Sequence, residues 1–485
     1  MAPFDVIVIG GGIGGLVTGA LLADAGLSLL LLEQHDKTGG CASTFRRKGY
    51  KFEAGATLGF GFHDNGPMQW LSSRLDLEWP VIQQPVAWEY HCGRCCLPLT
   101  ADRNRLVQEF PGTEKFWKSQ EKLSDRLWHL TGVLLDQYGK KRTRQVPSLI
   151  RALYQHSGGL GLLRHSFQSV TSWLEDYNLQ NQEGFRRFID AQLLVSAQTT
   201  SQHANTLFAA LALDLPRKSP CIPVGGMGSI ARLLTRAIKE RGGRVQLKEK
   251  VTGLGLQANR ITGVKTEKDT YKCRQLIYNG SDAGLALLLG KTVPPTWNTM
   301  SRSEWGAFVL HLGMNERVFA GKKTRFLQFL QPDGDSLAEG GSIFVSASDS
   351  GDISRAPAGK TAVTVSTHTE VGQWWRALRE GGGSYERLKK QYTDRLIDTI
   401  GYYMGNCRAC IDCCLAGTPV TYSRYTGRYA GLVGGYAQTS LFAPGKNRYG
   451  LHNITFVGDY RFPGQSVTGV TVGASMAADS LLRRV

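Results

Sequence analysis

The stretch FDVIVIGGGIGGLVTGALLADAGLSLLLLE near the amino terminus constrains the fold more than any other part of the chain. Phe4 to Ile9 is an unbroken apolar run, the pattern of a strand buried on both faces of a parallel sheet. Residues from about Ile13 to Ala25 have helical character and Ser28 to Glu33 form a second apolar strand, so the segment predicts a βαβ unit. Its turn carries Gly10, Gly12, Gly14 and Gly15. In a Gly-x-Gly-x-x-Gly turn the first glycine permits the bend, the second lets the backbone approach a pyrophosphate, and the third lets helix and strand pack closely. The helix then points its unpaired N–H groups at the phosphates. Alone the motif is weak. Here it follows a strand, opens a helix and is completed by Glu33, where a carboxylate accepts hydrogen bonds from an adenosine ribose. That carboxylate repels a 2′-phosphate, so the expected ligand is FAD or NAD rather than NADP.

Distant segments read as parts of the same unit. After Glu33 comes QHDKTGGCASTFRRKGYKFEAGATLGFGFH, where Gly39 and Gly40 mark a second close approach of backbone to ligand and Arg46, Arg47 and Lys48 add positive charge. Downstream, IPVGGMGSIARLLTRAIKERGGRVQLKEKVTGLGLQANRITGV predicts a glycine turn, an amphipathic helix ending at Gly242-Gly243, a strand through Val251 and a β-hairpin with Asn259-Arg260 at or near its turn. The carboxyl-terminal NITFVGDYRFPGQSVTGVTVGASMAADSLL predicts a strand, Ile454 to Val457, that meets Gly458-Asp459, then a loop and a helix rich in small residues. Such a helix can approach a ligand closely, and its amino terminus stabilises negative charge.

At 485 residues the chain has room for roughly two to three structural units. Its 42% hydrophobic and 20% charged content excludes collagen-like and disordered classes. A net charge of +17 implies attraction to an anionic surface. There is no RNP-like strand or paired zinc-finger spacing, so no nucleic-acid partner is expected. The region from Gln137 to Leu174 has no Asp or Glu and mixes Lys140, Lys141, Arg142, Arg144, Arg151 and Arg164 with apolar groups. It suits either a membrane surface or a solvated helix pair. MAPFDVIVIG enters a strand at once, without a leader pattern, and the longest uncharged run, Ala191 to Leu213, is interrupted by SAQTTSQHAN. The expectation is a cytoplasmic protein, peripherally membrane-associated.

Ten cysteines include two clusters, HCGRCC (Cys92, Cys95, Cys96) and NCRACIDCC (Cys407, Cys410, Cys413, Cys414), which raise the question of a metal. HCGRCC reads as a hairpin turning at Gly93-Arg94, and ACIDCCLAG as a strand that sends Cys410 and Cys413 to opposite faces. Small buried hydrophobes in strands are therefore expected, and no metal.

GGGIGGLVTGALLADAG, GGCASTFRRKGYKFEAGAT, IPVGGMGSIARLL, AGTPVTYSRYTGR and FVGDYRFPGQSVTGVT resemble the phytoene desaturase and carotenoid isomerase superfamily of FAD proteins, and they span nearly the whole chain. The second is most similar to the cyanobacterial-type carotenoid 3′,4′-desaturase branch, and FPGQSVTGV is similar to carotenoid isomerases. The resemblance implies an α/β, glutathione-reductase-type FAD-binding Rossmann-like fold, a central parallel sheet plus β-meander, with an inserted α+β substrate domain. Residues 1–85, 217–293 and 423–485 would bind FAD, and 86–216 and 294–422 would bind substrate, with 137–174 facing a membrane. It places Gly10, Gly12, Gly14 and Gly15 at the pyrophosphate, Glu33 on the ribose, Gly39 and Gly40 along the cofactor, and Val251 at the adenine. Gly458 and Asp459 would meet the ribityl or pyrophosphate part, and Val467, Thr468 and Val470 the pyrimidine end of the flavin. Relatives carry Arg after the double glycine where this chain has Cys41; Arg46 or Arg47 would compensate.

The implied reaction is desaturation of a C30–C40 carotene by hydride transfer to flavin N5, with oxygen or quinone as final acceptor. Alternatives are a cis–trans isomerase using reduced FAD, a polyene or retinol saturase, and a flavin-bearing lipid-binding protein without activity. Amine oxidase and porphyrinogen oxidase readings fit the carboxyl-terminal motifs less well. Such chemistry needs an apolar tunnel more than an acid–base triad, and the sequence assigns no catalytic residue. Phe208, Leu211, Phe308, Leu310, Phe326 and Phe329 are tunnel or plain core candidates, and His63 is a proton carrier or an ordinary histidine.

Overall fold

A computed structural model describes residues 2–140, 159–218, 220–293, 305–331, 336–435, 438–441 and 449–484. Strands are numbered in chain order. The apolar run Phe4–Ile9 is β1 and pairs in parallel with β2, Leu29–Leu32, Val6 lying opposite Leu29. Helix Ile13–Asp24 joins them and is buried from Ile13 to Ala23. It is enclosed because the sheet lies on one side and helices Gly228–Glu240 and Ser466–Leu482 on the others. Val6, Val8, Leu16, Val17, Ile230, Leu234 and Ile238 are fully buried in that layer. Each contributes about 1.5–3 kcal/mol of apolar burial.

The sheet continues in parallel through β9 (Arg244–Gln246) on β2, β12 (Thr270–Tyr278) on β1 and β18 (Ile454–Phe456) on β12. The first half of β12 also carries an antiparallel meander of β10 (Val251–Gln257) and β11 (Arg260–Thr266). This is the expected parallel sheet with its β-meander. The hairpin turns at Ala258-Asn259, both in the left-handed region.

A second sheet runs in the order β17 (Ile411–Gly417), β13 (Trp305–Asn315), β16 (Lys360–Glu370), β15 (Ser342–Ala347), β14 (Phe326–Leu330), β6 (Trp88–Cys92), β7 (Cys95–Leu99). All its pairings are antiparallel except β14 with β6. Hairpin β6–β7 therefore completes the edge of a sheet made mostly from the far half of the chain. One face packs beneath helices Val371–Glu380 and Ser384–Met404, through Trp374, Leu396 and Ile400. The other packs on helices Glu114–Asp136, Glu183–Ser196 and Thr206–Asp214. Two small ribbons, β3 (Thr44–Arg47) with β4 (Tyr50–Glu53) and β5 (Val81–Gln83) with β8 (Cys221–Pro223), complete the strands among the described residues.

The aromatic candidates of β13 and β14 lie in core layers, and one cysteine position is corrected. Phe308, Leu310 and Phe329 belong to the core beneath the two long helices, whereas Phe326 lies on the opposite face, so these aromatics do not line one tunnel. Cys410 ends a 3₁₀ turn, Arg408–Cys410, before β17 begins. The alternating pair is instead Cys413, buried, and Cys414, exposed, after an irregularity in register between Cys413 and Ile411. GTPVTY is a helix start: Thr418 caps helix Pro419–Thr426 and forms a capping box with Thr421. All ten cysteines are free thiols. HCGRCC is the expected hairpin, with Cys92 opposite Cys95.

Candidate active site

Gly10 leaves β1 at φ 96°, and its amide donates to the Leu32 carbonyl at 2.9 Å. A Cβ at Gly15 would overlap the Gly10 carbonyl. At Gly12 it would lie 2.9 Å from Asn279 Nδ2, and at Gly14 2.8 Å from the Gly458 amide nitrogen. The absence of side chains leaves a concave backbone surface at the carboxyl ends of β1, β12 and β18, the crevice where open α/β sheets take ligands. Asn279, which sequence reasoning missed, ties the surface together. Its Nδ2 donates to the Gly10 carbonyl at 3.2 Å, and its Oδ1 sits where a Gly458 Cβ would be. Its one signal was its place directly after β12.

Glu33 is 7% exposed and already held toward the turn. Its Oε2 accepts the Gly11 N–H at 2.7 Å and its Oε1 the His35 N–H at 2.9 Å. The Gly39 N–H donates to the Gly11 carbonyl at 2.7 Å, so Gly39 and Gly40 lie against the first glycine turn. Val251 opens β10, two residues after Glu249, whose N–H donates to the Glu33 carbonyl at 2.9 Å.

Asp459 pairs with Arg428, whose Nε also donates to Cys41 Sγ at 3.1 Å. Burial works against the Arg428 charge, but Asp459 together with Cys41 and Tyr460 more than offsets it and holds the guanidinium pKa above its ordinary value. Arg46 and Arg47 are exposed on β3. The cation that reaches Cys41 thus comes from the carboxyl-terminal half of the chain, and the expected compensation by Arg46 or Arg47 is corrected. The chain from Arg428 to Gly435 then turns inward: a Cβ at Gly434 would lie 3.0 Å from Gln198 and 3.4 Å from Gln465.

Around this turn lies a cluster of buried polar atoms. Thr468 Oγ1, Gln465 Nε2 and His63 Nε2 are buried with no hydrogen-bond partner among the described residues. Val467, Thr468 and Val470 are buried in the first turn and a half of helix Ser466–Leu482. Thr468 faces Gly61, where a Cβ would lie 3.1 Å from Oγ1, two residues before His63. The His63 ring stands edge-on to Trp128 at 4.9 Å, and burial lowers its pKa. His368 Nε2 meets Gln198 Oε1 at 2.5 Å, and burial pushes His368 down to about 4. Gln198 adopts φ 56°, uncommon for a side chain of its size. Unsatisfied buried polar atoms beside a bare glycine cradle are what a polar, largely enclosed group would satisfy.

The parallel sheet, its glycine cradle and the strand-end carboxylate Glu33 define a dinucleotide-binding enzyme of the FAD type. The chain belongs to the flavin containing amine oxidoreductase family, whose profile matches residues 13–482. It is an FAD-dependent oxidoreductase, and the proteins it is similar to include prolycopene isomerases and all-trans-retinol 13,14-reductases. It is 26% identical to prolycopene isomerase 2, chloroplastic, of an Oncidium hybrid cultivar, over 98% of this chain and 83% of that protein. It is 23% identical to all-trans-retinol 13,14-reductase of Danio rerio, over 89% of this chain and 77% of the relative. Cyclohexylamine oxidase from Brevibacterium oxydans superposes with a TM-score of 0.61 at 15% identity, covering 100% and 99% of the two chains, a likeness of fold alone.

Proposed function

We propose that this enzyme desaturates a conjugated polyene of carotenoid or retinoid kind. In this reading Gly10, Gly12, Gly14, Gly15, Glu33, Gly39, Gly40, Val251, Gly458, Asp459, Val467, Thr468 and Val470 hold FAD. The parallel-sheet unit, 1–85, 217–293 and 423–485, serves the cofactor, and 86–216 with 294–422 serves the polyene. FAD, when bound, supplies a hydride acceptor. Loss of hydride from a carbon beside conjugated double bonds leaves a cation spread along the chain, and the adjacent C–H becomes a strong acid. A weak base then suffices. Burial keeps His63 and His368 unprotonated at neutral pH, and His63 Nε2 has no competing partner among the described residues. Neutral imidazoles keep one basic nitrogen free to accept a proton, the role that desaturation asks of a weak base.

Cis–trans isomerisation is the second reading, favoured by the match to prolycopene isomerase over 98% of the chain. Incubation with defined carotenes, read by product mass and absorption maximum, tests both. Loss of two hydrogens per event supports desaturation, and unchanged mass with a shifted spectrum supports isomerisation. A gain of two hydrogens would overturn both.

A route for a water-insoluble substrate is part of the proposal. Lys115, Lys118 and Lys122 are exposed along helix Glu114–Asp136. With Gly161, Leu162, His165 and Tyr177 they border a surface cavity of about 390 Å³. Leu163, on helix Gly159–Phe167, is 59% exposed beside it. An apolar side chain flanked by cations suits an anionic bilayer surface. Residues 141–158, the middle of the basic segment at 137–174, lie outside the described residues. Among the described residues no helix is long and apolar enough to cross a membrane.

A further inference from the structure

We propose that Glu89, His91 and Cys96 form a binding site for a single zinc ion, or a divalent ion of similar softness, on the edge hairpin β6–β7. The chemistry described above makes no use of them. Glu89 and His91 are two residues apart on β6 and so share a face, and Cys96 on β7 stands directly opposite His91. Their ligand atoms all lie within 4.8 Å of one another. Zinc bonds of about 2.0–2.3 Å at tetrahedral angles put ligand atoms roughly 3.3–3.6 Å apart. His91 Nε2 lies 3.2 Å from Glu89 Oε2 and 3.9 Å from Cys96 Sγ, so small side-chain shifts bring all three onto one ion.

The donors, one imidazole, one thiolate and one carboxylate, suit zinc better than calcium or magnesium, which prefer oxygen throughout. Two of the three are already ordered. Glu89 and His91 are each 6% exposed. The His91 ring packs against Phe329 at 5.2 Å and Tyr403 at 5.7 Å, and Tyr403 OH donates to the Leu330 carbonyl and accepts the Gly93 N–H. The site is thereby anchored to the body of the second sheet. Cys96 is exposed, which leaves a fourth position open to water or an added ligand. Without an ion, Lys322 Nζ lies 3.8 Å from Glu89 Oε2 and partly neutralises it. A bound ion would cross-link the two strands of the sheet's edge hairpin.

The cysteine spacing itself does not mark this site. Cys92 and Cys95 turn to the opposite face and pack on the helical core, and the Cys407–Cys414 group lies at the other end of the sheet order. The partners of Cys96 are a glutamate and a histidine. On this proposal the edge hairpin takes a metal that the cysteine spacing alone does not predict.

The test is zinc titration of FAD-loaded protein, stripped with chelator and followed by calorimetry, with cobalt as a spectroscopic substitute. One ion per chain is expected, and cobalt should give a thiolate charge-transfer band in the near-ultraviolet difference spectrum. Losing an outer partner of a metal ligand costs about 10–100-fold in affinity; Cys96→Ser, which removes a ligand itself, should weaken binding by at least about 100-fold and abolish the band. Its flavin absorbance should match the parent, which confirms the fold. Glu89→Gln should weaken binding as well, whereas Lys322→Gln should tighten it by removing the competing cation. Absence of saturable binding, parental affinity in Cys96→Ser or Glu89→Gln, or weaker binding in Lys322→Gln would overturn the assignment.

Discussion

Replacing Arg428 with methionine should destabilise the FAD-free protein by about 3 kcal/mol. Methionine keeps an unbranched apolar stem, so the packing loss is small. The polar loss is larger. Asp459 loses its cation, Cys41 Sγ loses a donor at 3.1 Å, and the Leu432 carbonyl loses one at 3.2 Å. Removing one partner of a buried ion pair costs about 3–5 kcal/mol. The Arg428 and Asp459 side chains are 13% and 20% exposed, and water reaching the carboxylate puts the expectation at the lower end of that range. Urea unfolding of parent and variant, with slopes compared, gives the number. Asp459→Asn in the same background should recover at least about 1 kcal/mol relative to the sum of the single changes, because it removes the stranded charge. A loss below about 1 kcal/mol, or strict additivity of the pair, would refute the view that Arg428 and Asp459 neutralise each other in a site poor in water. FAD retention is a separate readout, and it should fall in Arg428→Met because Asp459 loses the group that orients it.

Gly15→Ala should yield protein that retains little or no FAD after gel filtration, because the added Cβ meets the Gly10 carbonyl; normal flavin stoichiometry would count against the cradle. Burial pushes His311 down to about 4 from 6.5. The unfolded chain therefore takes up a proton at a pH where the folded one does not, so stability holds above about pH 6.5 and falls toward pH 4, by about 3 kcal/mol from this residue. His311→Gln should flatten that part of the curve of unfolding midpoint against pH, and an unchanged slope would locate the acid sensitivity elsewhere. The triple change Lys115→Glu, Lys118→Glu and Lys122→Glu should reduce sedimentation with anionic vesicles at low salt, and unaltered binding would exclude that helix as the docking face.

The first βαβ unit was legible almost to the residue. β1 runs Phe4–Ile9 as read, and helix Ile13–Asp24 stops one residue short of the expected Ala25. Continuous apolar runs flanking a glycine turn leave few alternatives, since local pattern and tertiary burial agree. The second sheet was much less legible. Its strands are half-exposed or pair with partners far away in sequence, and burial on either face looks the same in composition. Phe326 and Phe329 illustrate this: three residues apart, they must point to opposite faces of β14, and no periodicity within a five-residue strand says which face meets which helix layer.

The candidate site divides along the same line. Glycines and Glu33 announce themselves because a tight turn and a strand-end carboxylate are local requirements. Asn279, Arg428 and Gln198 do not, because each owes its position to a contact made by the tertiary fold: Asn279 with Gly10 across two strands, Arg428 with Cys41 from nearly the opposite end of the chain, and Gln198 with His368 across the gap between a helix end and β16. Cys41 shows the cost of reading locally. An arginine expected beside the second glycine pair has no counterpart among its sequence neighbours, where Arg46 and Arg47 stand exposed on β3, while the fold supplies a largely buried guanidinium from another segment. Charge at a cofactor site is set by which groups share a volume, and strand-end crevices gather residues from several chain segments. A missing side chain at one position of such a crevice is therefore weak ground for inferring a missing function, and the guanidinium at Cys41 is better sought among all segments that converge there than in the motif alone.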